Sequence, residues 1–230
     1  MFTLIDDLKR RLDQCRPLSD FTSSNIEEDL FLRLIYHSNA ISGNKLSLLE
    51  TKVVLEGIAV GDKTLEDHLH VINERKAIDY IQSIIRKKES FSTEQIFKIH
   101  LIISNNLNDL YHRSTLPDYT SLSNKVAPLF DWYNSEAYTL HPVERIARLH
   151  SDFIGIHPFI DGNRRISRLL MNLELLKAGY PPCVITVENR LAYYEALDQW
   201  MAYGRTEAFI KLIAQAVLEG FKPYRLVLGF

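Results

Sequence analysis

The chain has 230 residues, 46% hydrophobic and 24% charged, enough apolar side chain for one large globular domain or two small ones. Its formal net charge of −2 gives no basic footprint, so direct nucleic-acid binding is not expected. Its two cysteines, Cys15 and Cys183, lie far apart and make neither a disulfide framework nor a zinc-ligand spacing, which suits a reducing cytoplasm. No apolar run reaches transmembrane length, and Met1 to Asp7 lacks a signal-peptide pattern, so the expectation is a cytoplasmic protein without a membrane partner.

Leu4, Ile5, Leu8 and Leu12 predict an amphipathic helix over residues 3–15, broken at Arg16-Pro17-Leu18-Ser19. Ser24, with Glu27 three residues later, has a capping-box pattern and predicts the next helix start; Leu30, Leu34 and Ile35 form its apolar face. The turn chemistry of Ser38-Asn39-Ala40-Ile41-Ser42-Gly43-Asn44 predicts where it ends. Ser47 then opens a helix closed by Gly57 or Gly61, and Thr64 opens a long one reaching about Lys87. Ser92 and Gln95 cap a helix through Ile96, Ile99 and Ile103, on which His100 reads as a core histidine. The stretch from Tyr111 to Pro117 is too short for a pair of strands. Ser121 or Ser123 should cap a helix through Val126, Leu129 and Phe130. Pro142 suits the first turn of a helix carrying Ile146, Leu149, Phe153 and Ile154. Val184 to Val187 reads as a short strand or an extended connection. Asn189 to Tyr203 and Arg205 to Gly220 read as the last two helices, followed by an apolar tail that packs on the body or on a second copy of the chain. The resulting division is N-terminal helices over 1–90, a core over 91–220 and a tail over 221–230, forming one compact unit.

The chemistry concentrates in His157-Pro158-Phe159-Ile160-Asp161-Gly162-Asn163-Arg164-Arg165-Ile166-Ser167-Arg168. Pro158 ends the preceding helix at His157. From about Asn163, a candidate cap, a second helical pattern begins with Ile166, Leu169, Leu170 and Leu173. A glycine-bearing loop feeding a helix N-terminus is an anion site, because free N–H groups and the positive dipole end point the same way. Arg165 and Arg168, three apart, share a helix face and can grip phosphate oxygens. Asp161 offers a hard oxygen suited to Mg²⁺ on a polyphosphate. Imidazole titrates near neutrality and can take a proton from a hydroxyl, which makes His157 a candidate base. Singly, each piece has an ordinary reading as a turn, a cap or a solvated face; their order within one loop and one helical turn carries the signal.

This stretch resembles the signature of the Fic (Fido) family, His-x-Phe-x-Asp/Glu-Gly-Asn-Gly-Arg-x-x-Arg. It matches at His157, Phe159, Asp161, Gly162, Asn163, Arg165 and Arg168 and departs at Arg164, where Gly is usual. Similarity runs from about Ser38 to about Phe209 and includes Trp132-Tyr133-Asn134, His141-Pro142-Val143-Glu144, Gly179-Tyr180-Pro181-Pro182, Arg190 and Tyr193-Tyr194. The resemblance implies an all-α Fic/Fido-type domain with the N-terminal helices packed on its core. It also implies transfer of AMP from ATP to a Ser, Thr or Tyr hydroxyl of a protein target. His157 would be the base and Asp161 the Mg²⁺ ligand. Gly162, Asn163 and Arg164 would contact phosphate, while Arg165 and Arg168 held the outer phosphates.

The departures from the family pattern shape further expectations. Ser38 to Asn44 resembles the family's inhibitory motif, Ser/Thr-x-x-x-Glu-Gly/Asn, whose Glu pairs with the last motif Arg, here Arg168, and blocks seating of the γ-phosphate. Ser42 stands at the Glu position and cannot form that ion pair, so the segment is either a motif without its brake or a plain connecting turn. The family's β-hairpin flap, which docks targets by strand pairing, follows a Tyr-Arg pair. Here only Ser114-Thr115-Leu116 separates Arg113 from Pro117, so the flap is expected to be shortened or absent. Arg164 leaves two alternatives open. In the related death-on-curing toxins a Lys stands there and the γ-phosphate is transferred; the altered loop also suits a catalytically degenerate binding or regulatory module. A positive φ at Arg164 would cost about 1–3 kcal/mol.

Overall fold

A computed structural model describes residues 1–105 and 119–230, and among these the regular structure is entirely helical. In chain order the helices are α1 (Phe2–Gln14), α2 (Asp20–Ile41), α3 (Leu48–Leu55), α4 (Leu65–Lys87), α5 (Thr93–Ile103), α6 (Tyr119–Asn134), α7 (Pro142–Ile156), α8 (Asn163–Lys177), α9 (Arg190–Tyr203) and α10 (Glu207–Leu228). Short 3₁₀ turns cover Glu136–Thr139 and Val187–Asn189. The all-α expectation holds. No helix among the described residues is long and apolar enough to cross a membrane. The expected loss of the flap, Tyr111 to Pro117, lies outside the described residues.

The fold is organised around α8. It is buried from Arg165 through Leu175, with the polar side chains of Arg165, Arg168, Asn172 and Glu174 enclosed among its apolar ones. Its Ile166, Leu169, Leu170 and Leu173 join one hydrophobic cluster with side chains from α2 through α7. Met171 and Leu175 face a second cluster fed by α1, α2, α7, α9 and α10. The N-terminal helices α2 and α4 therefore pack directly on the helix whose start forms the site.

Local signals placed several boundaries correctly. Thr64 and Ser47 both close reciprocal capping boxes, with Asp67 and Glu50. Ser92 Oγ accepts the N–H of Gln95, and Pro142 stands at the start of α7. Other boundaries moved. The cap of α2 is Ser19, whose Oγ accepts the Thr22 N–H at 3.1 Å, and Ser24 lies inside the helix. Asp20 directly after Ser19 favours that earlier start by meeting the positive dipole end. At its other end α2 runs through Ile41, so Ser38 to Ile41 are helical. Ile41, seven residues past Leu34, continues the apolar face and is fully buried. Ser121 and Ser123 do not cap α6, which is already helical at Tyr119. Val184 to Thr186 is a connection without regular structure that runs into the 3₁₀ turn at Val187; Asn172 ties its start by accepting the Cys183 N–H at 2.7 Å and donating to the Cys183 carbonyl at 3.1 Å. Finally, α10 continues past Gly220 to Leu228, so most of the expected tail is helix.

Gly220 has a packing reason to be glycine. A Cβ there would lie 2.5 Å from the carbonyl oxygen of Pro182, a backbone atom with little freedom to move. Gly220→Ala is expected to cost about 1–3 kcal/mol, read as a melting temperature lowered by several degrees. Gly155→Ala, at a helical position with open space around it, should be neutral or slightly stabilising. Equal melting temperatures for the two variants would refute this packing account.

Candidate active site

The site begins where α7 stops. His157 takes a left-handed conformation, φ 48°, with its N–H shared between the carbonyls of Ile154 at 3.2 Å and Phe153 at 3.3 Å. Pro158 cannot continue the helix, and the left-handed residue swings the imidazole out to an exposed position. Phe159 then turns inward. It is buried and stacked on His100, ring centroids 3.9 Å apart. Burial pushes His100 down to about 4, with Asp161 and Arg165 as smaller, opposed influences. His100 is therefore neutral and a packing residue, as expected.

Asn163 closes the loop. Its Oδ1 accepts the Phe159 N–H at 3.0 Å and its Nδ2 donates to the Phe159 carbonyl at 2.6 Å. The same Nδ2 lies 3.4 and 3.5 Å from the two ring nitrogens of His157, too even and too long for one directed bond. Asn163 is thus the first helical residue rather than the cap. Gly162 occupies the cap position with φ +83°, and a Cβ there would meet Ile103 Cδ1 at 2.8 Å. No side chain caps α8, so its N-terminal amides remain available to an anion. Asp161 is exposed and accepts the Gly162 N–H through Oδ1 at 2.7 Å.

Arg164 is helical, so the left-handed angle that demands glycine falls at Gly162 and the substitution of the usual Gly brings no strain. Its guanidinium lies 5.2 Å from the centre of the Tyr194 ring, and Arg190 approaches the same ring at 5.8 Å. Arg165 is 6% exposed and its Nη1 has no hydrogen-bond partner. Burial pulls the Arg165 pKa below the usual arginine range, against the opposing pull of Glu74 and Asp161. A cleft of about 520 Å³ brings His157, Asp161, Gly162, Asn163, Arg164 and Arg165 together with Ser42, Glu66, His70, Arg190 and Tyr194. That volume is in the usual range for a small-molecule site.

Arg168 is placed differently. It is 2% exposed and is not among the side chains lining the cleft. Its Nε donates to Ser38 Oγ at 3.0 Å, and its Nη2 donates to the Ser38 carbonyl at 2.8 Å and to Ser42 Oγ at 2.9 Å. Its Nη1 is buried without a partner. The segment from Ser38 to Ser42 is therefore more than a connecting turn: it holds the last motif arginine through neutral hydrogen bonds.

Sequence reasoning missed three residues here. Glu74, on α4, is 1% exposed; its Oε2 accepts from Asn39 Nδ2 at 2.7 Å. Burial raises its pKa, and the neighbouring Arg168 and Arg165 oppose that rise. The signal was present, since Glu74 shares the apolar face of Val71, Ile78 and Ile81, where a carboxylate is out of place. His70 lines the cleft and is pushed down to about 4 by burial, then by Arg165. Glu66 lies 3.8 Å from it across the same helix.

Among the described residues no group of three His, Cys, Asp or Glu side chains could hold a resident metal ion. A single exposed carboxylate, Asp161, beside a phosphate-accepting helix start fits a Mg²⁺ that arrives on a polyphosphate and keeps most of its ligands from phosphate and water.

The Fic/DOC family model matches residues 90–175, which contain this whole loop and helix. A protein adenylyltransferase Fic from Nematostella vectensis is 33% identical over 238 residues, spanning 97% of this chain and 55% of the relative. One from Aedes aegypti is 35% identical over 230 residues, spanning 90% of this chain and 46% of the relative. A crystal structure of a Fic domain-containing signaling protein from Bacteroides thetaiotaomicron superposes with a TM-score of 0.86 at 26% identity, covering 98% of this chain and 97% of that one. The matched segment, residues 90–175, is a Fic/DOC-family domain. The chain spans about half the length of the curated Fic relatives it matches. Within this Fic core the residues added by the structure, Glu74 and His70, come from α4, upstream of the family match.

Proposed function

We propose that the chain transfers AMP from ATP to a hydroxyl side chain of a protein target. The relatives named adenylyltransferase support the reaction class. One structural observation carries the reading: the uncapped start of α8 opens into a cleft between an exposed imidazole, His157, and a buried guanidinium with an unpartnered nitrogen, Arg165.

The α-phosphate sits against the first amides of α8, where N–H groups and dipole stabilise the charge that develops. His157 takes the proton of the target hydroxyl as its oxygen attacks the α-phosphorus. A bond forms from that oxygen to phosphorus, the bond to the α–β bridging oxygen breaks, and pyrophosphate leaves. Mg²⁺, held through Asp161, would supply charge neutralisation on the α and β phosphates. Arg165 meets further phosphate oxygens with a guanidinium already held in place by packing. The free thiols Cys15 and Cys183 fit action in a reducing cytoplasm.

Incubating a lysate with the chain and either α- or γ-labelled ATP tests this. Label is expected on protein hydroxyls only from the α position. Label from the γ position alone would establish phosphotransfer instead, and no label from either would remove the enzymatic reading.

A further inference from the structure

The floor under the loop between α7 and α8 is the last turn of α5. His100 lies against Phe159, with the rings 3.9 Å apart and 7° from parallel. Ile103, the final residue of α5, fills the space beside Gly162, its Cδ1 2.8 Å from where a Cβ would stand. Between these two supports the chain passes through Ile160 and Asp161, both exposed. Phe159 is locked to Asn163 by two hydrogen bonds, so the loop is one stiff unit whose height the end of α5 sets.

The end of α5 is in turn tied to α4. The last carbonyls of a helix lack intrahelical donors. Those of His100 and Ile102 are met locally, by Ser104 and Asn105. Asn73 reaches across from α4 for the next ones: its Nδ2 donates to the Asn105 carbonyl at 2.8 Å and to the Ile103 carbonyl at 3.3 Å. Asn73 is fully buried, and its Oδ1 has no hydrogen-bond partner. A buried amide with one end unsatisfied is a poor choice for stability, so its use lies in the two bonds made by the other end. We infer that Asn73 is a positioning residue for AMP transfer: by tying the end of α5 to α4 it holds His100 and Ile103 under the loop, and so fixes where the first amides of α8 and the Asp161 carboxylate point. This rests on the nucleotidyl-transfer reading of the cleft.

The test sets Asn73→Ala and Asn73→Leu, the latter with the same branched shape but no donor, beside Val217→Ala, which truncates a fully buried side chain in the second hydrophobic cluster. Four quantities are read: melting temperature, Mg-ATP affinity by calorimetry, the rate of label transfer from saturating α-labelled ATP in a lysate, and the ¹H–¹⁵N resonance of Gly162. Both Asn73 variants should slow transfer about 10- to 100-fold, weaken Mg-ATP by a smaller factor and shift the Gly162 resonance. Val217→Ala should lose melting temperature yet keep the wild-type rate and resonance. Ile103→Val deletes the methyl group that faces Gly162 and tests the route. Combined with Asn73→Ala it should be hardly slower than Asn73→Ala alone, because both act through one contact; losses that multiply would overturn the inference. So would an unmoved Gly162 resonance in the Asn73 variants, or slowing in Val217→Ala that matches theirs. If wild type transfers no label, the nucleotidyl-transfer reading fails by itself, and the Gly162 resonance still decides the tether: shifted in both Asn73 variants it stands, unmoved it falls.

Discussion

His157→Ala is expected to slow AMP transfer by about 10²- to 10⁴-fold, the usual worth of a positioned general base, with little change in Mg-ATP affinity. The structure separates these two effects. The imidazole is exposed and makes no close, directed hydrogen bond; its nearest polar neighbour, Asn163 Nδ2, stands at 3.4 Å and is already committed to the Phe159 carbonyl. Phosphate-binding groups, the α8 amides and Arg165, do not depend on it. The fold does not need the side chain either. The left-handed backbone at His157 is unfavourable for any residue with a Cβ. His157→Gly should therefore raise the melting temperature slightly while abolishing transfer. Opposite signs for stability and activity at one position are the mark of a residue kept for chemistry. If His157→Ala transferred AMP at the wild-type rate, the base would have to be sought elsewhere.

Short-range chemistry was readable in the sequence, and long-range chemistry was not. The caps Thr64, Ser47 and Ser92, the break at His157-Pro158 and the special backbone at Gly162 are decided within a few residues, and each was visible as a pattern. The start of α2 shows the limit of such signals: Ser19 and Ser24 both look like caps, and the choice fell to the earlier one, followed by Asp20. The end of α2 was set by burial of Ile41 against α7 to α10, which no local turn score contains. The orientation of Arg168 depends on Ser38, 130 residues away, and on how α2 lies along α8. Spacing within the motif placed Arg165 and Arg168 on one helix face, and they do share it. Three residues of rise is enough to put one beside the cleft and the other behind it, because α8 is buried on all sides there. Glu74 was hidden for a related reason: its apolar neighbours predict a core face, and only the packed structure shows two guanidiniums beyond it.

Ser42→Glu is expected to weaken both Mg-ATP binding and AMP transfer by about 10- to 100-fold, and to stabilise the fold. Ser42 Oγ already accepts from Arg168 Nη2 at 2.9 Å, while the residue remains exposed at the edge of the cleft. A carboxylate extended from that position would reach the unpartnered Nη1 of Arg168 and give this buried cation a counter-charge at close range. It would also add a negative charge to the space where the phosphates enter, beside Arg164 and Arg165. The first effect raises the melting temperature and the second repels substrate, so the two readouts should move in opposite directions. Ser42→Gln separates charge from bulk: it has the same length, can meet Arg168 with a neutral oxygen, and should lose much less affinity. Because the contacts at the cleft edge are partly exposed, the inhibition should relax as salt is raised. Equal inhibition by Glu and Gln would show steric filling of the cleft. A Ser42→Glu chain as active as wild type at low salt would show that the serine is not what leaves this site open.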